Sequence, residues 1–341
     1  IRALIVTGGN PLITMANAKR LRQAFEQLEL LVVIDIQRSE TAQLAHYVLP
    51  ATAPFERPDA LFIFPLFLGI QSEPYVQATE RLIDPPGEAR EEPRIFHDLA
   101  RACGKPLFAS RAAQWAFGRK TETILSAILR AGRQGSFASL VKKHPHGKRR
   151  PEHRGGTFLG KRVLTSDGRV RLDVPHFIEA AQHLPGDFAK RLASKDELRL
   201  ITRRAVMTHN SWTHNLPAFV RGDRNRNYLY MHPQDAASRG LDDGACVDVR
   251  SATAELRLPL RFCEDLMPGV VALPHGWGHQ SAKGLSVARR CAGVNVNLLA
   301  ADGPEALEAH SGMAHLTGIP VMVSAAAGPA NENSWSGLPE A

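Results

Sequence analysis

Residues 1–36 read IRALIVTGGNPLITMANAKRLRQAFEQLELLVVIDI, and the order of patterns in them sets the architecture of the amino-terminal part. Residues 3–7 are a short apolar run ending in Gly8-Gly9-Asn10-Pro11. Asn17 stands where a helix N-cap belongs, and Leu21, Ala24, Phe25 and Leu28 recur at i, i+3, i+4 and i+7 on one face. Residues 30–36 are almost continuously apolar, as in a parallel sheet covered on both faces. Strand, helix and strand make a βαβ unit with a right-handed crossover. Beyond it, the pattern predicts a short helix over 40–45, a strand over 47–49 and a helix over 94–102.

Residues 107–192 are less regular, with one helix expected over 121–129 and a turn at Ser166-Asp167-Gly168. From residue 198 the period changes to two. Strands are expected over 198–202, 246–251, 254–262 and 270–273. In the third of these Leu256, Leu258, Leu260 and Phe262 face one way and Glu255, Arg257 and Arg261 the other. Pro259 inside that run predicts an edge position or a bulge. Many short strands joined by Gly/Pro turns predict a small β-barrel. The expected organisation is therefore an α/β domain with a parallel sheet over 1–110 and an irregular connecting region over 111–196. A β-barrel domain over 197–324 and a disordered tail over 325–341 complete it.

Composition sets outer bounds. The formal charge is +8, and much of the excess sits in residues 142–154, KKHPHGKRRPEHR. Such a run can bind nucleic acid by counterion release, but it has no interleaved aromatics for base stacking. A solvated basic loop is the expectation, an anionic cofactor or acidic partner domain the next reading, and nucleic acid the last. No apolar stretch approaches the ~18–20 residues of a membrane span. The longest, residues 61–70, is broken by Pro65 and suits a buried segment or a partner-facing patch. Cys103, Cys246, Cys263 and Cys291 form no CxxC pair, which predicts reduced, mostly buried thiols in a cytoplasmic-type protein. The chain enters a strand almost at Ile1, so an upstream portion, with any export signal it carries, is expected to be missing.

Common catalytic signatures are absent from the sequence: GxGxxG, a Walker A loop, GxSxG and HExxH. His275 and His279 flank Gly-Trp-Gly, too loop-like for a helical zinc face and without an evident third ligand. Three clusters stand out. Gly8-Gly9-Asn10-Pro11 lies where open α/β sheets bind ligands, at the carboxyl end of a strand, although a plain βα turn fits these four residues equally well. Residues 203–215, RRAVMTHNSWTHN, gather many hydrogen-bond donors beside Trp212, which suits an anionic, ring-containing ligand; a surface Trp anchoring the loop is the alternative. Residues 274–279, PHGWGH, with Gly293-Val294-Asn295-Val296-Asn297, form a second polar and aromatic lip.

In this order the clusters resemble the molybdopterin-dependent oxidoreductases of the dimethyl-sulfoxide-reductase and formate-dehydrogenase type. The amino-terminal likeness lies in LIVTGGNPLITMAN and LLVVIDIQRSETAQLAHYVLPATAPFER. The carboxy-terminal likeness lies in TRRAVMTHNSWTHN, MHPQDAASRGLDDGACVDVRS, MPGVVALPHGWGH, GVNVNLL and SGMAHLTGIPVMV. His46 departs from the aspartate usual in that family. The resemblance implies that the barrel is a double-psi β-barrel binding a molybdopterin dinucleotide. It implies two molybdopterin guanine dinucleotides with molybdenum or tungsten, and a 4Fe-4S cluster in the missing amino-terminal part. Gly9, Asn10, Asp35, Ser39 and Thr41 would face one dinucleotide. Arg203, Arg204, Asn210, Ser211, Trp212, His214, Asn215, His275, Gly276, Trp277, His279 and Asn295 would line the rest of the site. No residue of this chain is expected to ligate the metal or act catalytically; the ligand would lie upstream. The implied partners are the missing amino-terminal domains, an electron-transfer protein and a small-molecule substrate, with no nucleic acid and no membrane span. The function expected is oxygen-atom transfer or formate-type dehydrogenation; the alternative is a catalytically silent cofactor- or partner-binding module.

Overall fold

The computed structural model describes residues 1–61, 74–151, 163–194, 197–205 and 209–330. They form two compact units, one of residues 1–48 with 190–341 and one of residues 49–189. The first unit opens with the expected βαβ pattern. Strand β1 (Ala3–Thr7) leads into a four-residue helix α1 (Pro11–Thr14), then helix α2 (Ala18–Glu26) and strand β2 (Leu30–Asp35). β1 and β2 pair in parallel, Ala3 opposite Leu30 through Thr7 opposite Ile34. Asn17 is the N-cap of α2, its side chain accepting from the Arg20 N–H. Phe25 is buried as the spacing predicts, but Ala24 is exposed and Arg22 takes a buried place, paired with Glu26 at 2.9 Å. Helix α3 (Glu40–Gln43) and strand β3 (Tyr47–Pro50) follow, giving a sheet in the order β1-β2-β3. His46, where the resembling family has aspartate, accepts the Leu31 N–H at Nδ1, 2.9 Å away, and so tethers the start of β2.

The second unit corrects the expected connecting region. Two small antiparallel pairs, β4 (Asp59–Ala60) with β6 (Ala78–Thr79) and β5 (Tyr75–Val76) with β7 (Lys148–Arg149), stand with helices α4 (Glu92–Ala102), α5 (Arg111–Phe117), α6 (Thr121–Ala131), α7 (Phe137–Lys143) and α8 (Pro175–Ala193). It has a core of its own: Ala60, Val76, Ala78, Leu125, Leu129, Phe137 and Leu140. The basic run is correspondingly not one loop, since it closes α7 and supplies β7. Gly147 is required there: its φ is +86°, and a Cβ would sit 2.3 Å from the Tyr75 ring. The apolar patch after Leu61, the basic run beyond 151 and the tail beyond 330 lie outside the described residues; Ala325, the first residue of the expected tail, still belongs to a strand.

The first unit is completed by six strands, β8 (Leu198–Arg203), β9 (Leu229–Met231), β10 (Cys246–Arg250), β11 (Glu255–Phe262), β12 (Val270–Pro274) and β13 (Ile319–Ala325), with helix α9 (Pro233–Ala237). They close into a barrel in the order β10-β11-β9-β12-β8-β13. Leu256, Leu258 and Leu260 are buried as the alternation predicts. Pro259 sits opposite Cys246 and has no strand partner on its β9 side among the described residues, so it is locally an edge position within an inner strand. The barrel tolerates it because pairing with β9 starts only at Leu260, whose own N–H turns the other way to Ala245 O. The four cysteines are free, but Cys291 alone is buried, so burial of most thiols is not what the fold produces.

One hydrophobic core joins the βαβ segment to the barrel. Leu12, Ile13, Ala18, Phe25, Leu31, Val33 and Ala42 share it with Leu198, Leu200, Val247, Leu258, Val271 and Val321. Each fully buried aliphatic side chain contributes about 1.5–3 kcal/mol. Polar stitches fix the register of the seam. Asn295 Nδ2 donates to Leu12 O at 2.9 Å, Asn297 Nδ2 to Ile13 O at 2.5 Å, and the Asn17 N–H to Ala300 O at 2.9 Å. At Gly284 the seam is so tight that a Cβ would fall 2.5 Å from the backbone oxygen of Arg38. Gly284→Ala should therefore lower unfolding stability by about 1–3 kcal/mol through overpacking. Gly9→Ala, where a Cβ would meet only Thr7 O at 3.8 Å, is the control. Equal urea midpoints for the two variants would contradict this packing.

Candidate functional site

The barrel's topology brings two of the sequence clusters together. β8 and β12 are parallel neighbours, with Arg203 opposite Pro274, so the segments that follow them leave the barrel side by side. After β8 the described chain resumes at His209 in a short 3-10 segment, in which His209, Asn210 and Ser211 take positive φ. The 275–279 loop crosses close above it. Gly276, at φ +85°, is where they touch: a Cβ would lie 3.0 Å from the Ser211 backbone nitrogen. Asn227 Nδ2 ties Pro274 O (3.0 Å) to Val294 O (2.9 Å), and Asn227 Oδ1 accepts from the Val294 N–H. That residue is not among the sequence candidates, since an isolated buried asparagine carries no pattern.

The parallel βαβ segment contributes the other half. The turn after β1 and the start of α3 after β2 emerge at one edge of the sheet, again because the strands are parallel. Asn10 joins them: its Oδ1 accepts from the Thr41 hydroxyl at 2.8 Å and its Nδ2 donates to Glu40 Oε2 at 2.7 Å. Glu40 then reaches the barrel loop. Its Oε1 is 2.8 Å from His279 Nδ1, and His279 Nε2 lies 2.9 Å from Gly276 O and 3.1 Å from His214 Nδ1. The His214 ring stacks obliquely on Trp277, with centroids 4.3 Å apart. Glu40, His214 and His279 are all almost fully buried.

The electrostatics follow. Burial alone would raise the Glu40 carboxyl, but the charge of His279 and the hydrogen bonds from His279 and Asn10 outweigh it and hold it low. Burial would lower His279, and Glu40 reverses that, so His279 sits above the usual imidazole range. His214 is pushed down to about 3 by burial and then by the charge of His279. His275 is lowered by burial and by Arg204. Because both nitrogens of His279 are engaged, it does not offer a lone pair as a zinc ligand would.

The sequence candidates therefore divide. Asn10, Ser39, Thr41, Asn215 and Asn295 make hydrogen bonds within the chain: Ser39 caps α3, and Asn215 Oδ1 accepts from the Val287 N–H at 2.9 Å. Asp35 Oδ1 accepts from the Gln37 N–H. Arg203 stacks over Tyr230, and Arg204 donates to Asn210; both arginines are exposed at the rim with Trp212. Three buried nitrogens have no hydrogen-bond partner among the described residues: His214 Nε2, His275 Nε2 and Trp277 Nε1. Unpaired buried polar atoms are rare; Thr52 Oγ1, Gln134 Oε1 and Gln280 Oε1 are the others among the described residues. At Gly9 a Cβ would meet only Thr7 O, at 3.8 Å, among the described residues.

Comparison with known proteins gives the family. Residues 1–102 match the molybdopterin oxidoreductase model and residues 198–316 the molydopterin dinucleotide binding domain, together more than half of the chain. The chain belongs to the molybdopterin oxidoreductase family. Within that family it is 28% identical, over 80% of its length, to the F420-dependent formate dehydrogenase subunit alpha of Methanocaldococcus jannaschii. It is 24% identical, over 89% of its length, to trimethylamine-N-oxide reductase of Haemophilus influenzae. It spans 38% and 39% of those two relatives. In fold it is similar to acetylene hydratase from Pelobacter acetylenicus, with a TM-score of 0.67 at 20% identity, covering 95% of this chain and 44% of that one. As a molybdopterin oxidoreductase chain it lacks, among the described residues, any cluster of three His, Cys, Asp or Glu that could hold a metal ion, and no described helix is long and apolar enough to cross a membrane.

Glu40→Ala should cost about 3–5 kcal/mol, because it leaves the His279 charge buried without its partner. The pH dependence has two limbs. Glu40, lowered on folding, gives stability that is lost as pH falls through its folded value; His279, raised on folding, gives stability that is lost as pH rises through its folded value. Urea midpoints of wild type and Glu40→Ala should thus differ most between these limits and converge towards both. A constant difference across the range would refute the ion pair.

Proposed function

We infer that this chain is the cofactor-gripping carboxy-terminal portion of a bis-molybdopterin-guanine-dinucleotide oxidoreductase, working by oxygen-atom transfer or formate-type dehydrogenation. The observation that carries the reading is the set of three buried nitrogens on the 209–215 and 275–279 loops that have no hydrogen-bond partner among the described residues. They lie on loops whose exposed rim carries Arg203, Arg204 and Trp212. Such a site suits a ligand with hydrogen-bonding ring atoms at one end and phosphates at the other. Two parallel and four antiparallel pairings in the closed barrel support the double-psi reading.

In this reading His214, His275 and Trp277 hold the ring system, Arg203 and Arg204 meet diphosphate oxygens, and Trp212 covers a ring face. Gly9, on the βαβ side, lets the backbone come close to the second dinucleotide, and Asn10, Ser39 and Thr41 shape that turn by bonding within it. When bound, the molybdenum or tungsten dithiolene supplies the redox chemistry. This chain's residues bind, orient and exclude water; the metal ligand, and a 4Fe-4S cluster, would come from amino-terminal domains. Relatives named as alpha subunits support a separate electron-transfer partner, and the substrate would be a small molecule.

Arg204→Ala and Trp212→Ala in the full-length enzyme should each lower pterin and metal content several-fold while leaving the yield of folded protein unchanged. Pterin released on denaturation, set against protein mass, measures this. Full loading in both variants would remove these two residues from the site.

A further inference from the structure

The hydrogens around His279 can be assigned from geometry. Its Nε2 lies 2.9 Å from the carbonyl oxygen of Gly276, which has no hydrogen to give. Nε2 must therefore be protonated. The same N–H faces His214 Nδ1 at 3.1 Å, so His214 presents a lone pair there. His214 is buried, and its pKa, down at about 3, keeps it neutral. A neutral imidazole whose Nδ1 accepts carries its hydrogen on Nε2. That Nε2 is one of the three buried nitrogens without a partner among the described residues.

We propose that Glu40 and His279 are positioning residues that lock His214 as a neutral Nε2–H donor, aimed at an uncharged acceptor atom of the bound ligand. The two residues that set this state come from opposite sides of the seam, 239 positions apart, and Asn10 holds the second oxygen of Glu40 in place. The lock also separates charge. Glu40 and His279 neutralise each other, so the inner end of the site offers a neutral donor, while Arg203 and Arg204 place positive charge at the rim. A neutral N–H discriminates for a ring carbonyl or ring heteroatom; an imidazolium there would favour a phosphate instead. The tautomer rests on the contacts of His279 with Gly276 O and His214, and its use rests on the cofactor reading above.

Histidine-labelled 15N NMR of the 341-residue chain tests the tautomer. His214 should show a protonated Nε2 and an unprotonated Nδ1, unchanged from mildly acid to mildly alkaline pH. A Nδ1–H tautomer or a titrating imidazolium in the wild type overturns the assignment without any mutation. Glu40→Ala, which removes the group that holds His279 Nδ1, should release the lock and give mixed tautomers at His214. Glu40→Gln, whose amide can still donate to His279 Nδ1, should retain it. An alanine-variant spectrum like the wild type overturns the role of Glu40. In the full-length enzyme Glu40→Ala should then lower retained pterin several-fold, and Glu40→Gln should restore it. If Arg204→Ala lowers it and Glu40→Ala does not, the positioning role fails while the cofactor reading stands. If the wild-type enzyme retains no pterin, the cofactor reading fails and the NMR result still decides the tautomer.

Discussion

The buried contact between Glu40 and His279 is the constraint to which the whole site is tied. Two ionisable groups withdrawn from water are tolerated only if they are paired and their remaining hydrogen-bonding capacity is filled. Asn10 and Gly276 fill it. The chain therefore cannot place the α3 turn, the β1 turn and the 275–279 loop independently. Fixing one fixes the others, and with them His214 and Trp277. The shared hydrophobic core beneath gives this unit its cohesion, and the polar stitches at Asn17, Asn295 and Asn297 give it a register.

Parallel pairing explains why the site forms where it does. Segments that leave the carboxyl ends of adjacent parallel strands start out as neighbours, and this happens twice: β1 with β2, and β8 with β12. Relatives named for formate, trimethylamine-N-oxide and acetylene match this chain over 80%, 89% and 81% of its length.

Much of the fold is legible in the sequence. The alternation in β11 and the N-cap at Asn17 are local signals, and the structure follows them. Helices α5, α7 and α8 are not legible. Pro185 and Gly186 sit in the middle of α8 and read as a break, while α5 and α7 are only seven residues long. Composition picks out the polar loops, but it does not say which polar groups bond to each other. Asn10, Thr41 and Asn295 look like ligand contacts in the sequence, and they make hydrogen bonds inside the chain. Glu40 looks like an ordinary acid in a first helical turn, because its partner at 279 becomes a neighbour only through the fold.

Whether these loops hold a pterin dinucleotide is decided by quantifying pterin and metal in the purified full-length protein. About two pterins and one molybdenum or tungsten per polypeptide are expected; their absence from correctly folded protein would contradict the proposed function.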